Sequence, residues 1–118
     1  MINRISQIVD LPNEFYDSII EREQFSSTNI GNLIAIPHPN KPLSKEAFIS
    51  VCVLSKPIIW DKESVQIIFL ISISTNNKLE IKHAYKQITN FALSKKVPRD
   101  LIKQPTYKNF IAQLDGVF

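Results

Sequence analysis

The segment of residues 65–74 constrains the fold of this 118-residue chain more than any other part of it. It is nearly uninterrupted in apolar residues, and many of them are β-branched. This pattern is typical of a strand that is buried on both faces. We therefore predict a strand at the centre of a sheet, covered on both sides.

Two other segments predict further strands. Residues 47–54 alternate roughly, with Ile49, Val51 and Val53 on one face, as expected for a half-buried strand. Residues 33–36 form a short apolar run that predicts a brief buried strand.

Several stretches between and after these strands predict helices. Pro12 suits a first helical turn, and Phe15, Ile19 and Ile20 then share one face up to about Gln24. The helix expected after Asn76 and Asn77 has an apolar stripe made of Ile81, Ala84, Tyr85, Ile88, Phe91 and Ala92. Pro98 can begin a short helix with Asp100 in its first turn, and Thr106 can cap the last helix. Helices between strands predict one domain over residues 1–118, a three-layer α/β/α fold with a mixed sheet.

Composition narrows the function classes. The net charge of +3 is spread along the chain, and Lys95-Lys96 is only a pair, so we expect no direct nucleic-acid contact. We expect no membrane insertion either, because the longest apolar stretch is far shorter than a bilayer span and no signal peptide is evident. The single Cys52 lies in an apolar run, which predicts an inert buried thiol and fits a cytoplasmic location.

His38 is the most constrained reactive side chain, because it lies between Pro37 and Pro39. Proline disfavours helical geometry in the residue before it, so His38 should follow the end of the strand at residues 33–36, in a loop. An imidazole has a large neutral fraction near pH 7 and can act as a nucleophile. From position alone, a hydrogen-bonded structural or surface histidine remains an alternative.

Metal or cofactor binding is not predicted. The chain has two histidines and one cysteine, and no ligand spacing joins them.

A longer pattern surrounds this histidine. Arg22-Glu23 is followed by Ser26-Ser27-Thr28, by Ile30-Gly31-Asn32, and then by Ile34-Ala35-Ile36-Pro37-His38. This order resembles the phosphorylation-site region of enzyme IIA domains of the mannitol/fructose class in the bacterial sugar phosphotransferase system (PTS). Downstream apolar segments from Pro57 to Leu114 also follow the family's order. The resemblance thus covers nearly the whole chain and implies an enzyme IIA mannitol/fructose-like fold.

The resemblance also implies roles and partners. His38 would accept a phosphoryl group from the phosphocarrier HPr, and the Arg22 guanidinium would stabilise that group. The alternative for Arg22 is a helix-terminal cation or an ion-pair partner of Glu23 or Asp17. The hydroxyls of Ser27 and Thr28 would bind the phosphoryl group or would cap local backbone. No metal is implied.

The chain departs from the family pattern at three positions. Leu33 and Pro39 replace glycines, and the resulting "I-P-H-P" form is similar to enzyme IIA-like domains of transcription regulators that carry upstream PTS regulation domains. Many transport members have a second histidine near the start of a later helix, between positions 78 and 81 here, and none of those residues is histidine. His83 lies nearby, off the apolar stripe, and is expected to be a solvated surface residue.

We therefore expect a regulatory phosphoacceptor. The alternatives are a transport component that passes phosphate from HPr to an enzyme IIB, and a fold relative that only binds. The residues before Pro12 are fewer than this family usually has, and predict either an excised fragment or a naturally shortened variant with about two helical turns there.

Overall fold

The computed structural model describes residues 1–44, 46–72, 74, 79–94 and 96–117. The helices are α1 (Ile2–Ile5), α2 (Phe15–Phe25), α3 (Leu79–Leu93), α4 (Val97–Lys103) and α5 (Tyr107–Val117). The strands are β1 (Asn29–Gly31), β2 (Ile34–Ala35), β3 (Phe48–Trp60) and β4 (Glu63–Ser72).

The four strands form one mixed sheet in the order β1-β2-β4-β3. β2 runs parallel to β4, with Ile34 opposite Ile67, whereas β1–β2 and β3–β4 are antiparallel pairs. The predicted apolar strand is therefore an inner strand, as expected from its continuous hydrophobicity.

Alternate side chains of β4 enter two cores on opposite faces of the sheet. Ile67, Phe69 and Ile71 pack with Ile88 and Phe91 of α3 and with Leu101 of α4. Leu70 points to the other face, where it packs with Phe15 and Ile19 of α2 and Ile5 of α1. The rings of Phe69 and Phe91 meet edge to face, 5.5 Å apart, a favourable geometry for aromatic pairs. The predicted three-layer α/β/α architecture is confirmed.

Strand β3 is longer than the strand predicted at residues 47–54, because it continues through an irregular region to Trp60. Val53 is opposite Ile67 and Ile58 is opposite Val65, so β3 has extra residues between these two pairs. The Gln66 side chain bridges this gap by donating to the Leu54 carbonyl, at 2.9 Å. The outer edge of β3 is paired with no strand of the described chain. Its first half, residues 48–54, has no charge or proline, whereas Lys56 and Pro57 lie in the second half.

Predictions for the amino-terminal part need four corrections. Helix α2 begins at Phe15 rather than near Pro12, because the Phe15 amide bonds the Pro12 carbonyl in a tighter turn and the first α-helical bond joins Ser18 to Glu14. Ile20 is 41% exposed, so it does not share the buried face of Phe15 and Ile19. α1 is one helical turn rather than two. Cys52 is half-buried rather than enclosed, because it lies on the edge strand β3.

The carboxy-terminal helices follow the sequence closely. Ile88, Phe91 and Ala92 of α3 are buried, whereas Tyr85 is 37% exposed. Pro98 lies in the first turn of α4 with Asp100, and the Thr106 hydroxyl accepts a hydrogen bond from the Asn109 amide at the start of α5. The predicted helix opening at residues 76 and 77 and the side chains of residues 81, 84 and 114 lie outside what the structure describes.

A left-handed turn connects β1 to β2. Gly31, Asn32 and Leu33 have φ values of 81°, 54° and 70°. Leu33 thus occupies the backbone region that favours glycine, which explains why a glycine suits this position. The Asn32 side chain donates to the carbonyls of Ala92 and Ser94, so the same turn also caps the end of α3.

Candidate functional site

His38 lies just beyond the carboxyl end of β2. The Ile71 amide of β4 donates to the Pro37 carbonyl at 3.1 Å, which continues the β2–β4 pairing up to the residue before the histidine. Pro37 and Pro39 are buried and His38 is half-exposed. The two prolines beside His38 are therefore packed inside the protein, and the histidine between them is partly accessible to solvent.

The imidazole of His38 is oriented by its own strand. Its Nδ1 lies 2.9 Å from the Ile36 carbonyl oxygen. A carbonyl oxygen only accepts, so this contact assigns the hydrogen to Nδ1. In the neutral ring, Nε2 then has the free lone pair. Of the two ring nitrogens, Nε2 is therefore the one that can accept a hydrogen bond.

Helix α2 is tied to the loop that holds His38. The hydroxyl of Ser18 donates to the Asn40 side-chain oxygen at 2.6 Å and accepts from the Asn40 amide at 3.0 Å. Ser18 is 5% exposed, and Arg22 follows it by one helical turn on the same side of α2. The helix side that includes Arg22 therefore runs beside the segment that begins at His38.

The Arg22 guanidinium lies at the end of α2. It is half-buried, and its Nη1 donates to the Ser26 carbonyl at 2.8 Å, which satisfies a carbonyl at the helix end. Burial raises the pKa of Tyr85 above its usual value, and the positive charge of Arg22 partly opposes this rise. Arg22 is thus in electrostatic reach of α3. Arg22 therefore acts as a helix-terminal cation, one of its predicted alternatives. Nη1 of its guanidinium makes the bond to Ser26.

The hydroxyls of Ser27 and Thr28, for which phosphate binding and local capping were both open, make local bonds. The Ser27 oxygen accepts from the Asn29 amide at 3.1 Å. Thr28 is 3% exposed and donates its hydroxyl hydrogen to Glu23. Thr28 is therefore a buried structural residue beneath the surface of the site.

Glu23 and Trp60 are structural partners of each other, although from the sequence Glu23 was considered only as an ion-pair partner of Arg22 and Trp60 was assigned no role. The Glu23 carboxylate accepts from the Thr28 amide at 3.2 Å and from the Trp60 indole at 3.3 Å. Both residues lie in segments that resemble the family. The sequence around Glu23 does not predict that its carboxylate bonds a residue of a distant strand.

Residues 4–116 match the family described as "Phosphoenolpyruvate-dependent sugar phosphotransferase system, EIIA 2". The chain belongs to this family. It is 40% identical over 105 residues to the probable licABCH operon regulator of Bacillus subtilis, covering 89% of this chain and 16% of that protein. It is 28% identical over 96 residues to the transcriptional regulator ManR of the same species, covering 81% of this chain and 15% of that protein. This EIIA chain thus spans about a sixth of the length of these curated relatives.

Solved structures agree on the fold. The crystal structure of IIA mannitol from Escherichia coli superposes with a TM-score of 0.71 at 16% identity, covering 88% of this chain and 76% of that one.

Other predicted positions of the EIIA domain lie away from these contacts. His83 is exposed on α3. Of the positions where transport members have a second histidine, Lys78 and the side chains of residues 79–81 lie outside the described part of the chain. Among the described residues, no group of three or more His, Cys, Asp or Glu side chains could hold a metal ion. No helix in that part of the chain is long and apolar enough to span a bilayer.

Proposed function

We propose that this EIIA domain accepts a phosphoryl group from HPr on Nε2 of His38, and that the phosphorylated state regulates a transcription regulator of a sugar operon. The main support is the hydrogen bond between Nδ1 of the half-exposed His38 and the Ile36 carbonyl, which leaves Nε2 with its lone pair. No cofactor takes part.

The transfer exchanges one phosphorus–nitrogen bond for another. Nε2 of His38 attacks the phosphorus of the HPr phosphohistidine, and the electron pair of the breaking bond returns to the HPr imidazole. The hydrogen on Nδ1 stays in place, and the Ile36 carbonyl stabilises the positive charge that develops on the His38 ring. Such transfers depend on positioning and on charge neutralisation.

Arg22 is assigned the task of neutralising the phosphoryl oxygens. One of its terminal nitrogens bonds Ser26, so the guanidinium is held while its other donors are available to an anion. Ser27 is a second candidate donor, since it donates its hydroxyl hydrogen to no described residue. The Thr28 hydroxyl supports the fold instead, because its hydrogen is already bonded to Glu23.

The regulatory role is supported by the names of two relatives, an operon regulator and a transcriptional regulator. In this proposal the domain acts in the cytoplasm and its phosphorylation changes how it contacts PTS regulation domains of the same protein. The alternative is a transport EIIA that passes its phosphoryl group to an enzyme IIB.

Phosphorylation by purified components tests the acceptor site. Incubation with phosphoenolpyruvate, enzyme I and HPr should add one acid-labile phosphoryl group, measured by intact mass. His38→Ala should abolish the adduct. His83→Gln, which changes the other histidine, should be labelled as the wild type is. A labelled His38→Ala variant would show that the acceptor is another residue.

A further inference from the structure

A chain of hydrogen bonds connects the β3–β4 hairpin to the acceptor histidine. It starts at the indole of Trp60, which donates to the Glu23 carboxylate, and the same carboxylate accepts from both the amide and the hydroxyl of Thr28. The Thr28 carbonyl accepts from the Ile36 amide at 3.0 Å. The Ile36 carbonyl then accepts from Nδ1 of His38.

Glu23 is the central member of this chain of bonds. Its two oxygens accept from three donors on two separate segments, and all of them are at least half-buried. A carboxylate can do this because it only accepts and has about four lone-pair sites. Removing one of its oxygens as an acceptor leaves a partly buried donor without a partner, which is costly.

The residues next to the far end of these bonds are exposed, whereas Trp60 itself is half-buried. Ile58 and Ile59, which precede Trp60 on β3, are 45% and 74% exposed. The Asn29 side chain donates to the Trp60 carbonyl at 3.1 Å, so the hairpin end is held against β1 as well as against α2. Glu23 thus fixes the hairpin, the end of α2 and the segment before β1 in one arrangement.

We propose that Glu23 is a positioning residue for phosphoryl transfer, which keeps His38 in the tautomer with hydrogen on Nδ1 by holding Thr28 and, through it, Ile36. Without that support the Ile36 carbonyl moves relative to the ring, and the imidazole exchanges between its two tautomers. In the other tautomer Nε2 has the hydrogen and cannot attack phosphorus. The effect on the transfer rate rests on the function proposed above, whereas the effect on the tautomer does not.

Glu23→Gln is the sharpest substitution, because it keeps the shape of the side chain and converts one acceptor into a donor that faces Thr28 or Trp60. Glu21→Gln is the matched control. It makes the same change of charge on the same helix, at an exposed residue.

The tautomer is measured by ¹H–¹⁵N NMR of the imidazole nitrogens, at a pH where both histidines are neutral, with exposed His83 as the internal reference. The wild type and Glu21→Gln should give the Nδ1–H pattern for His38. Glu23→Gln should shift His38 toward the Nε2–H pattern and slow phosphorylation by HPr at least roughly ten-fold. Unchanged His38 signals in a folded Glu23→Gln protein would overturn the proposal.

A second variant protects the test against misfolding. Trp60→Phe removes only the indole donor, and should shift the His38 tautomer in the same direction by a smaller amount. If Glu23→Gln fails to fold, an unchanged tautomer in Trp60→Phe overturns the proposal. If the wild type is not phosphorylated by HPr, the proposed function fails, and the NMR comparison still decides the role of Glu23.

Discussion

The effect of Arg22 on Tyr85 and its proposed role in phosphoryl transfer can be separated by measurement. Its charge opposes the rise in the pKa of Tyr85 that burial causes, and its planar fork is assigned to the phosphoryl oxygens. The effect of Arg22 on the pKa of Tyr85 depends only on its positive charge. Bidentate bonding of a phosphate requires the fork as well as the charge.

We therefore expect two substitutions of Arg22 to have different effects on the pKa of Tyr85. Arg22→Lys should leave the pKa of Tyr85 nearly unchanged but slow phosphorylation roughly ten-fold or more, because lysine keeps the charge and loses the fork. Arg22→Gln should raise the pKa of Tyr85 further. The phenolate absorbance gives this pKa, with Tyr85→Phe subtracted to remove the other two tyrosines. A transfer rate unaffected by Arg22→Lys would limit Arg22 to its bond with Ser26.

At the scale of elements, the turn of the β3–β4 hairpin places two residues other than glycine in a backbone conformation that favours glycine. Asp61 and Lys62 form its two-residue turn with φ values of 50° and 77°, the type I′ pattern. Residues with a Cβ are disfavoured there by about 1–2 kcal/mol, and Lys62 is exposed, so its side chain contributes little packing in return.

Lys62→Gly should therefore stabilise the protein by about 0.5–1 kcal/mol, since glycine's greater freedom in the unfolded chain offsets only part of the relief. Lys56→Gly is the control, at an exposed lysine in β3, and should destabilise by about 0.5–1 kcal/mol. Urea unfolding gives both values. Destabilisation by Lys62→Gly would mean that the turn is not strained.

Elements were predictable where one local rule determines them. The apolar run in β4 predicts an inner strand, because a strand buried on both faces needs apolar residues throughout. Pro98 and Thr106 mark the starts of α4 and α5, because the start of a helix depends on the residues at that position. The start of α2 was not predictable, since the Pro12 carbonyl is used in a turn that competes with the helix. The second half of β3 was missed because Pro57 interrupts its alternation. Beyond Pro57 the strand pairs with β4 again, with Ile58 opposite Val65, and the Gln66 side chain bonds Leu54 across the irregular region.

The site shows the same division. The position of His38 in a loop just after a short strand was predictable from the two prolines beside it, whereas its role as the phosphoryl acceptor stays a prediction. The Ser18–Asn40 contact and the Glu23–Trp60 contact join residues 22 and 37 positions apart, so no local pattern contains them. Thr28 was predicted as a phosphate ligand or a local cap, and its near-complete burial could not be predicted from the residues around it.

At the scale of the whole molecule, the proposed phosphorylation of His38 would add nearly two negative charges at the end of β2. Such a change can create or abolish docking to another domain. The absence of histidine at positions 78–81 and the regulator relatives favour a switch over a relay.

In the intact protein, His38→Ala and His38→Asp should therefore alter transcription of a sugar-utilisation operon unequally or in opposite directions. Reporter activity and uptake of labelled sugar should be measured in the same strains, with His83→Gln as the matched control. Loss of uptake with a constant promoter response would favour the transport alternative.

The edge of β3 that pairs with no described strand has a consequence for how the protein behaves in concentrated solution. Residues 48–54 combine high β-propensity with no charge and no proline, which is the composition that favours intermolecular cross-β association. The second half of the same edge has Lys56, Pro57 and an irregular register, features that discourage such association. Aggregation would thus begin at residues 48–54. Because β4 separates β3 from β2, a neighbouring strand bound along this edge would suppress aggregation and leave the sheet end at His38 accessible.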